Sequence, residues 1–281
     1  MATSMKPEDG FKLLQNLVSN KNPFFVGRLS GIETRLCGLK LSNKRIDRQL
    51  FMMMLVNAGI YMKTEEDVNK YIDLYLSSVD SCDNLGVWDG LMYTQALDFY
   101  NYAKNRYSHK YFPAQSLEPF YYFNQPYYKP LFVNKNILII TSHEKTVLKQ
   151  ISKIDSIFPK KIFDNCQFIV VRAPIQSGHS CDGILWFEHY KELQDKIRNL
   201  KFDVALVGCG GFGMPICNFI FTEMKSSVMF VGGSIQLFFG IIGSRWLSND
   251  KVKELINDSW CWPLDEDKPN GYKYIEGGCY W

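Results

Sequence analysis

The chain contains no window of about 18 consecutive apolar residues, the length a helix needs to cross a bilayer, so no membrane span is expected. Its opening, MATSMKPEDGFKLLQNLVSN, lacks the apolar stretch of a secretory signal, and the expected compartment is the cytoplasm. None of the eight cysteines (Cys37, Cys82, Cys166, Cys181, Cys209, Cys217, Cys261 and Cys279) belongs to a CxxC pair, and their scatter has no zinc-ligand spacing. In a cytoplasmic protein they read as reduced thiols rather than a disulfide framework. There is no long Lys/Arg run and no aromatic-basic RNA-binding motif, and a formal net charge of +3 is too small to argue for nucleic acid. What the 281 residues do have is core-forming material, 46% hydrophobic against 22% charged. That length suits one large domain or two modest ones.

The first half reads as mainly helical after one short strand. Helical spacing marks Pro7–Ser19, a strand is expected at Phe24–Gly27, and Arg48–Ala58 is apolar and methionine-rich, as a core-packed helix would be. Thr64 and Asp67 stand at capping-box spacing before a helix through Val79, and a further helix is expected over Leu91–Tyr102. Tyr107–Pro130 is rich in proline and aromatics, which predicts an irregular connector. Its rings would either stack on a sugar or pack between the two halves.

A βα rhythm follows. Strands are expected at Asn136–Ile140, Phe168–Val171, Val204–Val207 and Ser227–Val231, with helices at Glu144–Ile157 and Ile184–Leu200. Alternation of this length implies a parallel sheet with right-handed crossovers, whose ligands sit outside the carboxyl ends of the strands. That rule nominates Thr141–Glu144, Arg172, Gly208–Gly213 and Gly232–Gln236 as one rim. Gly208-Cys209-Gly210-Gly211-Phe212-Gly213 satisfies the dinucleotide pattern G-x-G-x-x-G. However, the acid that should hold a ribose about 20 positions on is replaced by Val231-Gly232-Gly233, which weakens an NAD(P)-dependent oxidoreductase reading.

The run from Gly232 to Trp246, GGSIQLFFGIIGSRW, has the form GGxxQxxFGxxGxRW. It resembles a signature of GT-D-like glycosyltransferases. Leu117-Glu118-Pro119, Thr141-Ser142-His143-Glu144 and Glu276-Gly277-Gly278-Cys279-Tyr280-Trp281 are similar to further segments of that group, and together they cover most of the chain from Phe24 onward. The group carries an R-F-G-D-G-E type motif whose DxE acids are associated with a divalent metal and the sugar nucleotide. Arg28-Leu29-Ser30-Gly31-Ile32-Glu33 matches its arginine and final acid, but Gly31 stands where the aspartate would be. The resemblance implies Mn²⁺ or Mg²⁺ at Glu33, yet a lone carboxylate is a poor site for either ion.

The expected fold is therefore α/β: a Rossmann-like, mostly parallel sheet flanked by helices, GT-D-like, with a helical N-terminal half. Residues 1–130 would carry the first strand and the RLSGIE turn, and residues 131–281 the Rossmann-like part of one integrated catalytic domain. The function this implies is sugar transfer from UDP- or another NDP-sugar to a saccharide acceptor, of the kind used in polysaccharide assembly. The alternative is a non-catalytic nucleotide-sugar or glycan-binding protein. Arg28 would carry phosphate-side charge and Glu33 would act as base or metal contact. Ser30, Gly31, His143, Gly208, Gly210, Gly211, Gly213, Gly232, Gly233, Ser234 and Gln236 would contact the nucleotide sugar.

Bland roles compete with several of these. Arg28 could pair with Glu33, Arg245 could stack on Trp246 rather than clamp substrate, and His143 could cap a helix. Asp182 could be a replacement acid or a solvated loop residue. Asp265-Glu266-Asp267 reads as a solvated turn, and Tyr280 and Trp281 are expected to dock against the fold because aromatic surface is costly to leave in water.

Overall fold

Thr64 and Asp67 form the capping box that their spacing predicts: the Asp67 backbone N–H donates to the Thr64 hydroxyl, and the Thr64 N–H donates to the Asp67 carboxylate. This satisfies two of the first-turn N–H groups that a helix leaves open. The computed structural model describes residues 5–88 and 94–281. Its main elements are α1 (Pro7–Ser19), β1 (Phe25–Arg28), α2 (Gly31–Leu41), α3 (Arg48–Val56), α4 (Glu65–Ser81), β2 (Asn84–Val87), α5 (Thr94–Tyr107) and β3 (Tyr111–Pro113). They continue with β4 (Phe132–Val133), β5 (Asn136–Thr141), α6 (Glu144–Ile151), β6 (Phe163–Asp164), β7 (Gln167–Arg172), α7 (Trp186–Ile197), β8 (Val204–Gly208), α8 (Gly213–Thr222) and β9 (Ser227–Phe230). Short helical segments complete the chain.

Seven strands make one all-parallel sheet in the order β3-β2-β1-β9-β8-β5-β7, while β4 and β6 pair separately. The protein is thus an α/β fold of Rossmann-like character, and strands from before and after residue 130 share its sheet. Alternate side chains of β5 enter opposite cores. Leu138 and Ile140 face the core of α2–α5, α7 and α8; Ile137 and Ile139 face that of α1, α6 and the aromatic connector. Among the described residues, no helix is long and apolar enough to cross a membrane.

The partition of the two cores follows from crossover handedness. The moves β1→β2, β2→β3, β7→β8 and β8→β9 all run toward the β3 edge, and their helices lie on one face. The moves β3→β5 and β5→β7 run the other way, through the connector and α6 on the opposite face. A single, right-handed crossover sense requires this arrangement. Adjacent strands β5 and β8 consequently leave in opposite directions, and their carboxyl ends form a topological switch point.

Several expectations need correction. The first half contains three strands of the main sheet, not one; β2 and β3 have four and three residues and carry no long apolar run. Pro113 is tolerated because β3 lies at the sheet edge. The helix expected at Leu91–Tyr102 runs Thr94–Tyr107, and residues 91–93 lie outside the described residues. Helix α6 stops at Ile151, short of Ile157. Helix α3 buries Leu50 and Met54 but leaves Phe51 and Met52 exposed, so its methionines are only partly core.

The connector rings pack rather than line a site. Tyr122 is buried and stacks on Phe11 with centroids 4.0 Å apart. Gly213 opens α8 directly beneath the Phe230 ring, and a methyl group there would run into it. Gly213→Ala should therefore cost about 1–3 kcal/mol by overpacking, read as a shifted urea midpoint at constant m-value. A change below a few tenths of that would show that the ring moves aside freely.

Candidate functional site

The carboxyl ends of β1, β2, β9, β8 and β5 surround a cavity of about 400 Å³, which lies at the switch point. This is within the roughly 300–1,000 Å³ range of small-molecule sites. Arg28 ends β1, and its guanidinium lies 5.4 Å from the Phe230 ring centre and 5.7 Å from that of Trp88. Burial lowers its pKa, and Arg245 adds to the fall, while Tyr280, Glu33 and Glu118 oppose it. Among the described residues Arg28 forms no ion pair, with Glu33 or any other acid, and its Nε is buried without an acceptor. A partly buried cation beside two aromatic rings, with no carboxylate at ion-pair distance among the described residues, is poised for an anion.

Ser30 precedes α2, and Glu33 lies in the first turn of that helix, both facing the cavity. Burial pushes the Glu33 carboxyl up, although its own backbone N–H, Ser30 and Arg28 pull the other way. A raised carboxyl accepts a proton more readily than a solvated one.

Gly31, His143, Gly208, Gly210, Gly232 and Gly233 also line the cavity. Gly232 takes φ +56°, and a side chain at that position would strike the Arg28 guanidinium, so the glycine makes room for the cation. His143 is driven down to about 4 by burial, with Arg172 assisting and Asp267 opposing, so it is neutral at pH 7. It makes no side-chain cap to α6; its ring lies 4.3 Å from that of Trp281 and its Nδ1 is unpartnered.

Six residues of the nominated rim do not line the cavity: Thr141, Glu144, Arg172, Gly211, Gly213 and Ser234. Gly211 instead packs under Ile60, and its carbonyl accepts from the Tyr71 hydroxyl at 2.9 Å. Gln236 reaches the wall, but its amide is committed internally. Its Nε2 donates to the Tyr280 carbonyl at 2.6 Å and its Oε1 accepts from the Trp246 indole at 3.0 Å. Its role is to pin the C-terminal segment. Arg245 stacks on Trp246, as one of its two expected roles has it, and on Tyr280, and it also lines the cavity. It bonds the Tyr280 hydroxyl and lies 3.6 Å from Glu276.

The structure also assembles residues that sequence reasoning did not assign to the site. Glu118 is buried near Arg28 and Arg245; burial pushes it up to about 7 against the pull of both cations. Tyr280, Trp281 and Glu276 close one side of the cavity. Asp182 lies elsewhere, in a neighbouring depression, where it contacts His189 at 3.0 Å and accepts from Gln176 at 2.8 Å. It is therefore not a replacement for the missing acid.

Asp267 is not a solvated turn residue: it is fully buried and bonds the first turn of α6. All eight cysteines are free thiols. Among the described residues, no group of three or more His, Cys, Asp or Glu could hold a metal ion. One buried carboxylate beside an arginine is a donor set that does not fit Mg²⁺ or Mn²⁺.

The chain matches no family model, no curated protein and no solved structure.

Proposed function

We propose that this protein is a GT-D-like glycosyltransferase that moves a sugar from a nucleoside diphosphate sugar to a saccharide acceptor. The observation that carries the reading is Arg28, a partly buried guanidinium without an ion-pair partner among the described residues, at a cavity on the carboxyl ends of a parallel sheet. A leaving diphosphate needs such a cation, since the transition state places developing negative charge there. Arg245 brings a second cation to the same cavity. In an inverting displacement the acceptor oxygen attacks the anomeric carbon, and the bond to the β-phosphate breaks. The diphosphate leaves with the bonding pair, and Glu33 takes the acceptor proton. The donor set gives no reason to route a step through a metal; the two arginines supply the charge.

Substituting Glu33 with glutamine tests the base. Turnover with a responsive nucleotide sugar should fall about 10²–10⁴-fold while its Kd changes little. Unchanged turnover would remove Glu33 from the mechanism. Gly31 in place of a second acid favours one other reading, a nucleotide-sugar binding protein without catalysis. A thermal-shift panel separates these: stabilisation by nucleotide sugars without hydrolysis or transfer selects the binding protein. Stabilisation by NAD(P) alone would overturn both.

A further inference from the structure

Helix α3 carries an unusual outer face. Phe51 and Met52 are 39% and 48% exposed, and Met53, Leu55 and Val56 are only partly covered. Beside them Tyr274 is 64% exposed and stacks on His179 with ring centres 4.7 Å apart. Arg48, Met52, Met53, Val56, His179 and Tyr274 border an open groove of about 770 Å³. Met53 and Asn57 line both this groove and the candidate site, so the two share a wall.

The charge on this face has one sign left over. Lys44 pairs with Asp98 at 2.8 Å, and the Asp47 carboxylate accepts from the Leu50 N–H at the start of the helix. Arg45 and Arg48 are exposed, and among the described residues neither has an ion-pair partner. Apolar and aromatic side chains flanked by unpaired cations complement a bilayer that offers acyl chains behind anionic headgroups.

We infer that the outer face of α3, with Arg45, Arg48, Phe51, Met52 and Tyr274, docks the protein on an anionic lipid bilayer. Phe51 and Met52 enter the headgroup boundary, the two arginines meet lipid phosphates, and Tyr274 sits at the interface. The docked face lies beside the mouth of the cavity. If the proposed function holds, the acceptor saccharide is one presented on a lipid; the docking itself rests on the surface alone.

Co-flotation with vesicles tests this. The protein should float with phosphatidylcholine vesicles containing phosphatidylglycerol, much less with phosphatidylcholine alone, and raised salt should release it. The double variant Phe51→Ser/Met52→Ser should weaken binding at least tenfold. Arg45→Gln/Arg48→Gln should weaken it about tenfold or more. Both pairs are exposed, so their melting curves should match that of the parent protein, and pyrophosphate affinity, which reads the Arg28 cavity, should be unchanged. Loss of vesicle binding with pyrophosphate binding retained assigns the two surfaces separately. No flotation with anionic vesicles at low salt overturns the inference, as does flotation that neither double variant reduces. Self-association abolished by Phe51→Ser/Met52→Ser, without vesicle binding, would give the face to a second copy of the chain and likewise overturn it.

Discussion

Arg28→Met should nearly abolish binding of pyrophosphate and nucleoside diphosphates while leaving the fold as stable as before, or more so. The two halves of this expectation have one cause. Arg28 is partly buried, lacks an ion-pair partner among the described residues and keeps a buried Nε without an acceptor, which is unfavourable for folding on its own. Methionine has a similar length, packs well between Trp88 and Phe230, and removes that burden. A bound diphosphate would lose a charge-assisted contact worth about 2–5 kcal/mol, which is thirtyfold to several thousandfold in Kd. Calorimetric titration and urea unfolding read the two halves independently. A structural arginine would behave in the opposite way: stability would fall and pyrophosphate affinity would stay where it was. Glu118 adds an internal check, because removing Arg28 takes away one of the two cations that hold its carboxyl down, and its pKa should rise from about 7.

The parts of the fold that were legible in the sequence are those whose stabilisation is local or periodic. The apolar runs of β5, β8 and β9 are buried on both faces, and helix α4 announces its start with a capping box. The carboxyl-end rule pointed to the place where the structure has a cavity, and Arg28, Glu33 and His143 converge there from β1, α2 and the turn after β5. Short strands were not legible: β2 is NLGV, and its place in the sheet depends on parallel partners β1 and β3 rather than on its own pattern.

The glycine pattern overstated its chemistry. Gly211 and Gly213 are fixed by close packing against Ile60 and Phe230, and G-x-G-x-x-G spacing does not distinguish packing from phosphate contact. Glu276, which lines the cavity, and Glu118, buried near its two arginines, were not legible because their proximity to the arginines is purely tertiary. Tyr280 and Trp281 were expected to dock; what they dock over, Arg245 and His143, was not readable from their position in the chain.

Asp267→Ala carries the largest expected loss of stability. The run Asp265-Glu266-Asp267 looks solvent-facing, but its third member is completely buried and serves an element more than a hundred residues away. Its carboxylate accepts from the backbone N–H groups of Lys145 at 3.1 Å and Thr146 at 2.7 Å, and from the Thr146 hydroxyl at 2.6 Å. It also pairs with Arg172 at 3.1 Å. His143, the residue that precedes α6, makes no side-chain cap, so Asp267 supplies from a distance the anion that a helix N-terminus favours. Alanine would strand these buried donors together. Loss of about 3–5 kcal/mol is expected, or a drop in Tm on the order of 5–15 °C. Asparagine would keep one acceptor but turn an NH₂ toward other donors, so Asp267→Asn should fall between the parent and the alanine variant. A cost below about 1 kcal/mol for alanine would return this residue to the solvated turn that its neighbours suggest. The loss should also reach the cavity: α6 begins directly after His143, whose ring supports Trp281, so nucleotide affinity should weaken in Asp267→Ala even at temperatures where the chain remains folded.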